Sequence, residues 1–245
     1  ADLAVEHGHA RLGGIALKQP YGEIPTVSLI GEIYVRRDPI SLQGLIERLA
    51  EEGIAVRISQ TNEWIKYLDW LAKAGIDGEK SLGFWVRHWV KRYLDRAVRK
   101  RLAPSGLFYT DGMDVAPVVE AGSKFVSPLL TGEAILTVGN AFHEILHPAC
   151  GIISIGPFGC MPTRVAEAIL SEKLTTAEKR AIASHNGHES WDHLLAGDRK
   201  LPFLAIETDG NAFPQVIDAR LEAFVLQARR LHTRMEEARA AATKG

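Results

Sequence analysis

GIISIGPFGCMPTRVAEAIL, residues Gly151–Leu170, decides how the rest of the chain is read. An apolar run reaches Ile155, a Gly/Pro-rich turn carries Cys160, and apolar residues then return at helical spacing. Strand, turn and helix in that order form the repeating unit of α/β folds. Such folds gather reactive groups and ligands at the carboxyl ends of buried parallel strands. Cys160 stands at such an exit. The other cysteine, Cys150, stands where the strand begins.

Similar units appear on both sides. Pro25–Val35 (PTVSLIGEIYV) reads as a buried strand ended by Arg36, Arg37, Asp38 and Pro39. Ser41 is the predicted cap of a helix to about Glu52, Gly53 closes it, and Ile54–Ser59 is the next strand. A β-α-β unit results. Leu201–Glu207 reads as a further strand, and a last helix runs from about Pro214 to Ala242. Between these stretches the chain turns helical. Asn62–Ala74 and Ser81–Leu102 carry apolar residues three and four apart. Phe84, Trp85, Trp89, Tyr93 and Val98 are the predicted apolar stripe of the second helix. Its last turns hold Lys91, Arg92, Arg96, Arg99, Lys100 and Arg101, which suit a helix C-terminus and also a docking patch for an acidic partner or a phosphate. Pro104–Thr131 reads as loop. Gly132–Leu146, Thr163–Leu170 and a stretch from Thr175 to Gly187 read as helices. The predicted fold is α/β: a Rossmann-like, mostly parallel sheet with helices on both faces and a helical insertion at about 61–131. One domain spans 1–245.

Composition excludes several classes. Lys and Arg number 29 against 30 Asp and Glu, so no global charge draws the chain to nucleic acid or a membrane surface. A 46% apolar fraction supports a buried core. Two cysteines make no disulfide scaffold. No apolar run reaches the roughly 20 residues of a membrane span. The first residues show no signal-peptide pattern, so a cytoplasmic, reducing location is expected. They also read like the middle of something longer, and a fragment of a larger protein is expected.

Two constellations carry candidate chemistry. HEILH, His143–His147, matches a zinc-hydrolase pattern: His143 and His147 one helical turn apart, with Glu144 as general base. Pro148 follows directly and pushes His147 out of the α region, which disturbs that geometry. His185, His188 and Glu189 are candidates for a third ligand, and nothing selects among them. The second constellation is the cysteine pair. Gly156, Pro157, Gly159 and Pro162 favour an irregular turn around Cys160, whose backbone amides could hydrogen-bond sulfur. A helix starting near Thr163 would favour thiolate over thiol. Free cysteines are otherwise small buried apolar residues, which is the reading spacing alone supports. Arg36 and Arg37 follow one strand; Glu207, Asp209 and Gly210 follow another.

Several blocks resemble a known family. HPACGIISI, GPFGCMPTRVAEAIL, FLAIETDGNAFPQVIDARLEAFVLQARRLH and SLIGEIYVRRDPIS (Ser28–Ser41) resemble the 2-hydroxyacyl-CoA dehydratase component and its activase-linked homologues. The resemblance implies a Rossmann-like fold holding an iron–sulfur cluster, either 4Fe-4S or a double cubane, through cysteine thiolates. It also implies a separate or fused ATPase of the actin/Hsp70 superfamily that drives low-potential electrons onto the cluster. Cys150 and Cys160 are the ligands it carries over. Arg36 and Arg37 become candidate contacts for an acyl-CoA or the partner, and a homodimer is implied. The family pattern has three or more cysteines per subunit and this chain has two. The remaining ligands are therefore expected from elsewhere, and the isolated chain is expected to lack the cluster or activity. Three functions remain open: an iron–sulfur redox module, a zinc hydrolase using HEILH, and a non-catalytic interaction domain.

Overall fold

The computed structural model describes residues 11–16, 23–105, 114–144, 149–185, 199–211, 213 and 215–242. Along the chain the elements are β1 (Thr26–Gly31), α1 (Pro39–Leu42), α2 (Leu45–Glu51), β2 (Ala55–Ile58), α3 (Asn62–Ala74), α4 (Leu82–Leu102), α5 (Val115–Ser123), α6 (Glu133–Glu144), β3 (Ala149–Pro157), α7 (Met161–Lys173), α8 (Thr176–His185), β4 (Phe203–Thr208) and α9 (Gln215–Ala242). The chain divides into two compact units. One comprises 24–61 and 116–245, the other 1–23 and 62–115.

The first unit is built on a four-stranded sheet in the order β2-β1-β3-β4, every pair parallel. The fold is α/β and Rossmann-like, as the sequence predicts. Strand side chains alternate between faces. Val27, Leu29, Ile153, Ile155, Leu204 and Ile206 belong to one apolar cluster with Leu42 and Leu45, and with Ile217, Leu221 and Phe224 of α9. Gly151 lies on that face because any Cβ there would meet the Phe224 ring at 2.7 Å. The alternate residues face α6 and α7: α6 packs on β1, and α7 on β3. A Cβ at Gly156 would sit 2.3 Å from Thr163 Oγ1 in the first turn of α7. Helices therefore cover both faces.

Element ends differ from the sequence reading for identifiable reasons. β1 stops at Gly31 rather than Val35. Gly31 has φ +113, and the Glu32 carboxylate accepts from the amides of Tyr34 (3.0 Å) and Val35 (2.7 Å), which bends the chain into the 3-10 turn Val35–Arg37. The predicted helix to Glu52 is cut in two by Gln43 and Gly44, both left-handed (φ 48 and 72). Its cap is Asp38, not Ser41: the Asp38 carboxylate accepts from Ser41 N–H (2.9 Å) and Oγ (2.7 Å), and Pro39 fits the first turn. α5 lies inside the stretch read as loop.

In the second unit, α3 and α4 join through charge. Asp69 meets His88 Nδ1 at 2.9 Å and Lys91 Nζ at 2.6 Å. Asp95 meets Lys66 Nζ at 3.1 Å and Asn62 Nδ2 at 3.3 Å. Ser81 caps α4 by accepting from Phe84 N–H at 3.1 Å. Of the predicted apolar stripe of α4, only Phe84 is buried; Trp85, Trp89, Tyr93 and Val98 are exposed. No described helix is long and apolar enough to cross a membrane.

Candidate functional site

Strand order fixes where a site can form. From β1 the chain moves to β2 on one side, and β3 later enters on the other side of β1. A crevice opens outside the carboxyl ends of two such strands because their connections diverge. Here those exits are Glu32–Arg37 after β1 and Phe158–Cys160 after β3, with Asp209–Asn211 after β4 next to the latter.

Cys160 is the N-cap residue of α7 and is half-buried. Its thiol makes no capping bond; Pro162 in the first helical turn needs no partner. The turn that presents it is held by the chain itself. Gly159 supplies a left-handed residue (φ +70). Phe158 N–H donates to the Thr208 carbonyl (2.9 Å), Cys160 N–H to the Pro157 carbonyl (3.1 Å), and Gly159 N–H to Glu207 Oε1 (3.3 Å). The same Glu207 oxygen pairs with Arg164 Nε at 3.1 Å. The amides expected to serve sulfur are therefore committed to other acceptors. Glu207 at the end of β4 and Arg164 on α7 brace the turn. The sequence marks Glu207 as a strand-exit residue, but nothing in it singles out Arg164.

Cys150 lies elsewhere. The β1–β3 register jumps from Thr26↔Ala149 to Val27↔Gly151, so Cys150 is the extra residue of a β-bulge. Its side chain is fully buried and donates to the Thr26 carbonyl at 3.2 Å. Burial pushes the thiol up to about 12. Seven strand residues at ~3.3 Å each put roughly 20 Å between Cys150 and the exit of β3. The sequence reading joined the two cysteines in one ligand set; the structure does not bring them together, and no single cluster spans that length. Cys150 is a core residue here.

The arginines after β1 turn back on the chain. Arg36 is 2% exposed and donates through Nη1 to the Gly31 carbonyl (2.8 Å) and through Nη2 to the Gln60 carbonyl (3.4 Å). Arg37 is exposed and donates to the Ser59 carbonyl at 3.0 Å. Together they tie the end of β1 to the end of β2. Neither pairs with Asp38, whose carboxylate is held below the usual range by the Ser41 hydroxyl and amide. Asp209 makes a local turn with Asn211 (3.0 Å to its amide, 2.9 Å to its side chain), and these bonds lower its carboxyl as well.

His143 is half-buried near the end of α6. His147, His188 and Glu189 lie outside the described residues, and so do the side chains of Glu144 and His185. Among the described residues no group of three or more His, Cys, Asp or Glu side chains could hold a metal ion. The described part of the chain thus offers an iron–sulfur cluster one thiol at the sheet exit, not a full ligand set. Exposed apolar residues accompany that thiol: Phe158 (75%) and Met161 (70%) flank it in sequence, and Tyr34 (70%) stands on the loop after β1. No protein-family model matches the chain, and no curated protein or solved structure matches it.

Proposed function

We propose that this chain is the α/β module of a redox system of the 2-hydroxyacyl-CoA dehydratase/activase type, in which Cys160 supplies one thiolate to an iron–sulfur cluster. The observation that carries this reading is the half-buried Cys160 at the head of α7, at the strand exit where the sheet's connections diverge. The thiolate is the form that binds iron. The other ligands come from outside the described residues: a second copy, the rest of a longer chain, or a partner. Exposed Phe158 and Met161 beside the thiol fit a site that another surface closes. An ATPase partner would supply the electrons; an acyl-CoA would receive them.

The role of this chain's own residues is positioning. Glu207, Arg164 and the Thr208 carbonyl hold the turn, and Arg36 and Arg37 fix the neighbouring loop. The bound cluster would supply one-electron chemistry at low potential. The test is anaerobic purification of the full-length protein together with the partners that co-purify with it and bring the ligands this chain lacks, followed by iron and acid-labile sulfide analysis. A brown protein is expected, with C160S losing at least about half of its iron and C150S keeping it. A chain that stays colourless, or a C160S protein that binds as much iron as its parent, removes the reading.

A further inference from the structure

Helix α4 turns a polar face toward α3. Phe84, His88, Lys91, Asp95 and Arg99 recur every three or four residues and so form one face. His88, Lys91 and Asp95 on that face bond to α3. The opposite face holds Leu82, Trp85, Val86, Trp89, Tyr93 and Leu94, each between 46% and 82% exposed. An amphipathic helix normally turns its apolar stripe inward. Here α3 takes the polar face, and the apolar one is left outward over some four turns. Contiguous exposed apolar surface of this kind marks an interaction site.

Two observations identify the occupant. The first is shape. A groove of about 500 Å³ is walled by Trp85, Trp89 and Tyr93 and edged by Lys73, Arg92 and Arg96. A concavity with aromatic walls takes a protruding side chain; a bilayer is planar and offers none. The second is charge. α4 carries seven Lys and Arg residues and a single acid, Asp95, which is committed to Lys66, Asn62 and Arg99. A second copy of α4 laid on this face would set one basic rim against another.

We propose that this face docks an acidic amphipathic helix of another protein, an apolar side chain filling the groove and its carboxylates meeting Arg92 and Arg96. Trp, Tyr and Arg are the residue types that dominate binding energy at protein interfaces, and a helix laid in a groove is a common recognition mode. The proposal is independent of what Cys160 binds.

Two synthetic peptides test it against the full chain. Both carry a leucine stripe at helical spacing; one is flanked by glutamates, the other by lysines. Binding is read by anisotropy of the labelled peptides. The glutamate peptide is expected to bind, more weakly as salt rises, and the lysine peptide not to bind. W89A and R92E/R96E are each expected to lose at least about tenfold in affinity, with unchanged far-UV circular dichroism, since all three side chains are exposed. Equal binding of both peptides, or no binding of the glutamate peptide, overturns the proposal. So does a concentration-dependent dimer that W89A abolishes, or binding to phosphatidylserine vesicles in place of the peptide. An emission maximum of the free chain that W89A shifts to the red, as loss of a buried indole would, means that the chain covers the face itself, and also overturns it.

Discussion

The Cys150 thiol donates to the Thr26 carbonyl from inside a β-bulge, and burial holds it near 12. At pH 8 a thiol of that value is thiolate to roughly one part in ten thousand, and the thiolate is the reactive form. Cys160 caps a helix without using its sulfur and is only half-buried. Alkylation with iodoacetamide at pH 8 is therefore expected to modify Cys160 alone in the native chain, with a second equivalent only after denaturation. Mass analysis of the labelled peptides checks it, and comparable native labelling of Cys150 would contradict the core assignment. The separation of the two cysteines was already implicit in the sequence. Reading Gly151–Ile155 as a strand places Cys150 before it and Cys160 after it, at opposite ends of an extended segment. The destination of Arg36 was not implicit. Its carbonyl partners belong to β1's own last residue and to the loop after β2, and strand pairing alone brings those loops together.

Among elements, β1 shows how closely the sheet exit is built. A Cβ on Gly31 would lie 2.0 Å from the Ile155 carbonyl oxygen, and its φ of +113 suits no side chain. G31A is expected to cost about 3 kcal/mol or more, read as a lowered urea midpoint. A shift within about 0.5 kcal/mol would mean that β1 and β3 can separate there without consequence. The same glycine explains why Pro25–Val35 was legible as a strand only in its first part. Val27, Leu29 and Ile30 declare burial, while the bend at Glu32 depends on a side chain capping amides two and three residues on, a local bond that competes with the ladder. α3 was legible to the residue because its apolar periodicity ends where Gly75 follows. α4 was legible as a helix but not in its orientation: periodicity identifies an apolar face and cannot say whether a neighbouring helix takes it. Here the ion pairs with α3 decide.

For the whole molecule, the two units rest on different physics. The sheet unit has an apolar core running from β1 through α9. The α3–α4 pair buries fewer apolar side chains, among them Tyr67, Leu71 and Phe84, and is joined through Asp69 and Asp95. Burial works to raise both carboxyls, but hydrogen bonds and charge from His88 and Lys91 around Asp69, and from Lys66 and Arg99 around Asp95, outweigh it and leave both below 3.8. A carboxyl lowered in the folded state lends stability above its unfolded value and loses it as pH falls through the lower folded value. Asp38 and Asp209 of the sheet unit are lowered too, but they hold a helix start and a local turn rather than join elements, so acid should loosen the helical unit first, beginning near pH 3.8. Four of the five tryptophans, Trp64, Trp70, Trp85 and Trp89, lie in that unit and would report it by their emission. The expected result is a tryptophan transition preceding loss of amide-exchange protection in β1 and β3. A single transition shared by both signals would show that the units unfold as one.

The bonds around Cys160 bear on the order of biogenesis. The turn's three amides, the Glu207 carboxylate and the Arg164 guanidinium are all satisfied within the polypeptide. Small metal domains whose ligands organise the backbone stay unfolded until loaded. This turn needs no such template. Translation and folding can finish first, and under the proposed function a cluster would meet Cys160 on a turn that is already formed.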